Sequence, residues 1–417
     1  MTKQTTGIGA AVPRREDRRF LTGNSEFTDD IKVANVLSAA VLRAPLPHGE
    51  IKTIDISAAL SVPGVHLILT AKDLEGEITG PIPSLSRVPP FDIGRLDGSD
   101  AADAPQYPLA RGRVRYTGEP VAFVVADTFL QAQDAAELIN VDYRPLDAIM
   151  EVDDALSPNA EKIWPDAPGN ISFDWATGDE AATKAAFDAA DHIVGLNLKN
   201  NRVVINFMEP RSAVASFDSD SGRLTLQAGC QSAHGMQASL MELLDVEADK
   251  LHVIAPDTGG GFGARSPVYP EFIVTLIAAR KLSRPVKWTS TRSEAFLTDY
   301  QARDHQFYGE LALNNRGCFL GLRVRADWRH GAYLPGRCIW IMAQYLSQIL
   351  GGTYRMPAAH LYLRGIVTNT TPMAAYRGIG RLEANYILER LIDQAAHELG
   401  LDAVEIRRMN LLRAEDL

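Results

Sequence analysis

The stretch Leu251-His-Val-Ile-Ala-Pro-Asp-Thr-Gly-Gly-Gly-Phe-Gly-Ala-Arg265 places four glycines in five positions, interrupted only by Phe262. Glycine lets a backbone approach a ligand closely and adopt positive φ. An apolar strand leads into the loop, and Glu271-Phe-Ile-Val-Thr-Leu-Ile-Ala-Ala-Arg280 behind it reads as a helix. A helix N-terminus presents free N–H groups to an anion, so this segment is expected to hold a phosphate or an oxyanion. The spacing Gly259-x-Gly261-x-x-Ala264 formally satisfies the dinucleotide fingerprint and allows an NAD-dependent dehydrogenase as one reading. The acidic strand end which that fingerprint wants about 20 residues further on is missing. Pro285-Val-Lys-Trp-Thr runs instead to Arg292 and Glu294. A P-loop is excluded, because no Gly-Lys-Ser/Thr follows the glycines.

The elements that must carry this loop belong to a chain of 417 residues, enough for two large domains. Its 42 Lys and Arg against 52 Asp and Glu give a net charge of −10. That balance leaves no cationic excess for a nucleic-acid backbone, so a small molecule or another protein is the expected partner. Cys230, Cys318 and Cys338 fit no metal-knuckle spacing and read as reduced thiols. Three cysteines cannot ligate an iron–sulfur cluster of the four-Cys kind. The polar start lacks an apolar signal region, and no run reaches the ~18–20 apolar residues of a membrane span. A cytoplasmic location without a membrane span is therefore expected.

Mixed α/β patterning begins near residue 36. Val36–Leu42, Val65–Thr70 and Val121–Ala126 read as strands, Ser57–Gly64 and Phe129–Leu138 as helices, and residues 139–143 as a strand. His66 reads as a satisfied strand histidine. Residues 1–35 read as loop and short strand, and the Pro-, Gly- and Asp-rich stretch 80–110 as a surface excursion. A second such stretch, 157–170, is taken as a linker between domains spanning 8–156 and 171–417. In the second domain, residues 192–199 and 223–228 read as strands. The 3–4 spacing of Tyr386, Ile387, Leu391, Ile392 and Ala395 predicts a helix over 383–399 with Gly400 beyond its end. Asp402-Ala-Val-Glu405 is a capping-box-like start for a last helix.

Several motifs, in order, resemble the large subunit of the molybdenum hydroxylases, the xanthine dehydrogenase/aldehyde oxidase family. Asp257-Thr-Gly-Gly-Gly-Phe-Gly263 is similar to that family's signature loop, and Cys230-Gln-Ser-Ala-His234 to its Gln-x-x-His segment. Residues 284–294, Gly331-Ala-Tyr333, Ala375-Tyr-Arg-Gly-Ile-Gly-Arg381, Glu389-Arg-Leu-Ile-Asp393 and Arg407-Arg-Met-Asn410 follow the same pattern. So do Arg19-Phe-Leu-Thr-Gly23, Phe27-Thr-Asp-Asp30, Val62-Pro-Gly-Val65 and Tyr116-Thr-Gly-Glu-Pro-Val121 in the N-terminal part. The resemblance spans roughly residues 8–414. It implies an α/β hammerhead domain followed by the first half of a mixed α/β molybdopterin-binding region.

The resemblance also implies roles. The reaction is hydroxylation of a carbon with water-derived oxygen at a molybdenum held by a pterin dithiolene, so no protein side chain ligates the metal directly. Gln231 would donate its amide to the apical oxo group. Gly260, Gly261 and Gly263 would bring backbone amides to the cofactor, and Phe262 would flank the metal and support a flat or apolar substrate. Ala375, Tyr376 and Arg377 would shape the substrate channel, with the Arg377 guanidinium able to grip a carboxylate or carbonyl in a two-pronged fashion. An ion pair is the structural alternative for Arg377. His234 reads as structural.

Two departures bear on substrate and completeness. Gly378 stands where CO-oxidising members carry a copper-binding Cys, so CO oxidation is not expected. Ser266 stands where purine-oxidising members tend to have Glu. The family's general base is a Glu far toward the C-terminus of a chain nearly twice this long, and Glu119 after Gly118 is not that residue. The base is therefore expected outside this sequence, on a partner chain carrying the second half of a split large subunit, the alternative being that this sequence is a fragment of a longer chain. The cofactor is expected as molybdopterin cytosine dinucleotide, with [2Fe–2S] clusters and FAD on further subunits. A catalytically inactive scaffold subunit is the remaining alternative.

Overall fold

The computed structural model describes residues 7–84, 87–88, 91–336 and 338–416. A seven-stranded mixed sheet forms its centre, in the order Leu251–Ile254, Arg223–Ala228, Ser212–Asp218, Val286–Thr289, Leu37–Arg43, Pro120–Ala126, Val65–Thr70. Leu37–Arg43 pairs in parallel with Val286–Thr289, so strands from either side of residues 157–170 share one sheet.

The two faces of Pro120–Ala126 feed different cores, as a period of two requires. Phe123 and Val125 join the cluster that holds the Pro270–Leu282 helix. Ala122, Val124 and Ala126 pack with Ala132 and Ala135 of the Phe129–Glu137 helix. The Pro270–Leu282 helix is buried on nearly every side, hence its almost continuous apolar sequence.

A second, five-stranded sheet runs His192–Asn200, His305–Leu313, Phe319–Gly331, Ala359–Val367, Ile171–Gly178. The Arg381–Leu399 helix lies on it, ending at Gly400 with φ 65°. Asp402 caps the Ala403–Asn410 helix by accepting from the Val404 and Glu405 amides. A small sheet of Arg113–Val114, Gly49–Asp55 and Asn140–Pro145 completes the N-terminal part. His66 meets Asp127 at 2.7 Å, a satisfied strand histidine. No helix among the described residues is long and apolar enough to cross a membrane.

Three irregular segments differ from expectation. The described part of residues 1–35 holds a short helix, Asp17–Leu21, and a 3-10 turn, Thr28–Asp30, in place of a strand. The described residues of the 80–110 stretch are only in part a surface excursion: 96–100 are exposed, but Ile82, Ile93, Ala102 and Leu109 are buried. The 157–170 segment is packed as well. Trp164 is buried and its Nε1 donates to the Ala332 carbonyl at 2.8 Å, while the Asn170 side chain bonds Ile163 N, Ala155 O and Glu161 O. Pro, Gly and Asp interrupt regular backbone but do not forbid burial when side chains satisfy the freed polar groups.

Candidate functional site

Arg223–Ala228 and Leu251–Ile254 are parallel neighbours, so the chain leaves both strands at the same end of the sheet. That geometry brings the Gln231 segment beside the glycine loop. The loop meets residues 375–377, which lead into the helix on the five-stranded sheet.

The loop backbone is left-handed at Gly260 (φ 111°), Phe262 (φ 51°) and Gly263 (φ 110°). For a non-glycine residue such as Phe262 this costs on the order of 1–2 kcal/mol, which the surroundings must offset. They do so on every side. Phe262 O accepts from Arg377 N at 2.8 Å. Its ring stacks parallel to Phe207, centroids 6.2 Å apart, and meets the Tyr376 ring edge-on at 6.4 Å. Gly263 cannot be another residue: a Cβ there would collide with the Ala375 carbonyl. At Gly261 a Cβ would press on the Gln231 side chain, 2.8 Å from its nearest atoms. Phe262 nevertheless stays 44% exposed, so one ring face is open for contact.

The orientation of Gln231 is fixed. Gly263 N donates to its Oε1 at 2.6 Å, and only the oxygen of an amide can accept that bond. The Nε2 donor is therefore the free end and has no partner among the described residues. The loop amides of Gly260, Gly261 and Phe262 likewise take no intramolecular partner among the described residues. Four adjacent donor groups are thus left for a ligand rich in acceptors, which fits the oxo and sulfur head of a molybdopterin cofactor.

The expected contribution of the following helix is not found. The N-terminus of Pro270–Leu282 lies in the core, with Tyr269, Pro270 and Glu271 buried. The Glu271 carboxylate sits between Arg211 (2.6 Å) and Arg43 (2.7 Å). Burial alone would raise its pKa, but the two guanidiniums outweigh it and hold the group down at about 2. The groups free to meet an anion here are the loop amides and not the helix end.

Arg377 has an exposed guanidinium with no ion-pair partner among the described residues, so the structural-pair alternative is not what the fold shows. Its carbonyl accepts from Arg303 Nη2 at 2.9 Å, and the Arg303 guanidinium lies 4.9 Å from the Tyr376 ring centroid. His234 sits exposed in the first turn of the Ala233–Leu244 helix, and its imidazole makes no hydrogen bond among the described residues. Cys338 is buried behind Ala375, whose backbone interacts with its sulfur, and burial pushes its thiol up to about 12. Glu119 is a buried structural group: Tyr333 donates its hydroxyl to the carboxylate, joining the Gly-Glu-Pro and Gly-Ala-Tyr segments. No group of three or more His, Cys, Asp or Glu among the described residues is placed to hold a metal ion.

Residues with no prior assignment brace this constellation. Glu209 accepts from Gly259 N at 2.8 Å and pairs with Arg265. Arg19 forms a two-pronged pair with Asp257 at the head of the loop, and Glu26 N donates to the same carboxylate at 2.8 Å. The Arg265 guanidinium passes where a Cβ on Gly229 would be, a contact that only the folded chain reveals.

A family model of the molybdopterin cofactor-binding domain matches residues 163–411, and one of the aldehyde oxidase and xanthine dehydrogenase a/b hammerhead domain matches residues 22–147. The chain belongs to the xanthine dehydrogenase/aldehyde oxidase family of molybdenum hydroxylases. It is 36% identical to the carbon monoxide dehydrogenase large chain of Hydrogenophaga pseudoflava over 98% of its length and 51% of that protein's. It is 34% identical to the nicotine 6-hydroxylase large subunit of Paenarthrobacter nicotinovorans over 97% and 48%. Among solved structures, quinoline 2-oxidoreductase from Pseudomonas putida 86 superposes with a TM-score of 0.88 at 32% identity, covering 98% of this chain and 51% of that one. This molybdenum hydroxylase chain spans about half the length of the curated relatives it matches.

Proposed function

We propose that this chain is the molybdopterin-binding part of an oxidoreductase that hydroxylates an N-heterocyclic, aromatic or aldehyde substrate with water-derived oxygen. The observation that carries the reading is the Gln231 amide, turned by Gly263 so that its donor end is free beside three unpaired loop amides.

When bound, the molybdopterin group supplies the two-electron oxidation. Gln231 Nε2 and the amides of Gly260, Gly261 and Phe262 hold its electron-rich head. Fixed donors of this kind stabilise developing negative charge without reorganising. Phe262 offers its open ring face to a flat substrate, and the free Arg377 guanidinium pairs with an acceptor on it. Gly378 (φ 87°), with Leu382 atoms about 3 Å from where a Cβ would be, supports a substrate other than CO. The names of the nicotine and quinoline relatives support an N-heterocycle.

The general base is assigned to the half of the relatives' length that this chain does not span. Cytosine dinucleotide is the proposed form of the pterin. The [2Fe–2S] clusters and FAD are assigned to further subunits of a cytoplasmic complex. Native mass and elemental analysis of the complex from its own host test this reading. About one molybdenum per chain, with a co-purifying partner and iron, is expected. A molybdenum-free protein carrying NAD, or a metal-free one from a host that makes the cofactor, would overturn it.

A further inference from the structure

Glu209 and Arg265 lie beneath the loop, 8% and 2% exposed, and tie the Thr28 segment and the Gln231 segment to it. Glu209 exchanges two bonds with one residue: its N donates to Gly259 O at 3.3 Å, and its Oε2 accepts from Gly259 N at 2.8 Å. Its other oxygen faces Thr28 N at 3.4 Å. Arg265 donates through Nη1 to the Glu209 carboxylate and through Nη2 to the Glu209 carbonyl. The same guanidinium lies 4.8 Å from the centroid of Phe207, the ring against which Phe262 stacks. It also crosses the space that a Cβ on Gly229 would fill, two residues before Gln231. The Arg265 carbonyl accepts from Gln231 N at 3.1 Å.

Gln231 is thus held at its backbone by Arg265 and at its side chain by Gly263, and the loop is fixed at its base by Glu209. We propose that Glu209 and Arg265 are positioning residues for the reaction proposed above, a role that rests on that reading. Together they set the direction of the Gln231 Nε2 donor and hold Phe262 in its left-handed conformation. A planar, forked guanidinium suits this task because it can serve carboxylate and carbonyl in one fixed geometry, which an ammonium cannot. Neither residue reaches the ligand side of the loop in this arrangement; both act through Gly259, Gln231 and Phe207.

The test uses the complete complex with Glu209→Gln and Arg265→Lys, both close in shape to the native side chains. Hydrogen exchange of the 257–266 segment is measured alongside kcat and KM per molybdenum and the unfolding temperature. For each variant, exchange in the loop at least tenfold faster is expected, with kcat per molybdenum at least tenfold lower and KM within twofold; for Arg265→Lys, which keeps the charge, the unfolding temperature is expected within a few degrees of wild type. Loop exchange and kcat within twofold of wild type would overturn the proposal. So would a loss confined to the unfolding temperature. If Glu209→Gln does not assemble, Arg265→Lys decides by the same criteria. A complex without molybdenum would sink the functional reading, and the exchange measurement would still judge whether the pair orders the loop.

Discussion

Gly263 shows how one position couples two requirements. Its φ of 110° suits only glycine, and its missing Cβ leaves room for the Ala375 carbonyl while its N–H orients Gln231. Gly263→Ala would meet both the backbone penalty and the collision. A loss of about 2–3 kcal/mol is expected in urea unfolding, together with weaker cofactor retention, since strain and overpacking each cost on the order of 1–3 kcal/mol. A variant as stable as wild type would mean that the loop is not held as described. At this scale the sequence was informative where chemistry forces an unusual composition. Clustered glycines are costly in chain entropy, so they mark a close approach. The loop could be found in that way, whereas Gln231 and residues 375–377 were reached through the resemblance to the molybdenum hydroxylases. Glu209 and Arg265 were reached by neither route, because a buried ion pair has no period or spacing and its partners come from distant segments.

The elements were legible to the extent that their periodicity is local. Strands and helices such as Val65–Thr70, Phe129–Glu137 and Arg381–Leu399 lie within a residue or two of where apolar spacing and caps place them. The Pro270–Leu282 helix was found, but its role was not, since the sequence does not reveal that Glu271 turns into the core. There Glu271 joins Arg211 and Arg43, with Asp299 and Glu294 on the same cations. Removing one member of a buried ion pair typically costs ~3–5 kcal/mol, so Glu271→Gln should destabilise the fold by about that much. The carboxylate titrates at about 2 in the folded chain against 4.5 ordinarily. A depressed folded value contributes stability that is complete above the unfolded value and is lost as pH falls through the folded one. The gap between wild type and Glu271→Gln in urea unfolding should accordingly be widest above pH 4.5 and shrink toward pH 2. A gap independent of pH would show that the charge is not what stabilises this element.

Across the whole molecule, the seven-stranded sheet unites chain segments that composition separates. The Pro- and Gly-rich run at 80–110 suggested a surface excursion and the one at 157–170 a domain boundary, yet long-range packing buries Ile82, Ile93, Ala102 and Leu109 in the first and Ile163, Trp164 and Ala167 in the second. Burial of this kind depends on contacts that no local window contains. Residues 8–156 expressed alone would lose the Val286–Thr289 neighbour of Leu37–Arg43 and the Pro270–Leu282 helix that covers Phe123 and Val125. No cooperative thermal transition by circular dichroism is expected for that segment, against a cooperative one for the full chain. A sharp melt of the isolated segment would show that the shared sheet is dispensable.

The central claim is that the free donor of Gln231 acts on the cofactor's electron-rich head. Gln231→Glu removes that donor, because a carboxylate still accepts from Gly263 N but presents no N–H, and Gln231→Met, which has neither the N–H nor the added negative charge, is the control. The decisive measurement is kcat per molybdenum of both variants in the assembled enzyme. Loss of one preorganised donor predicts a fall of roughly 10²–10³-fold with molybdenum still bound. Turnover per molybdenum equal to wild type would contradict the account.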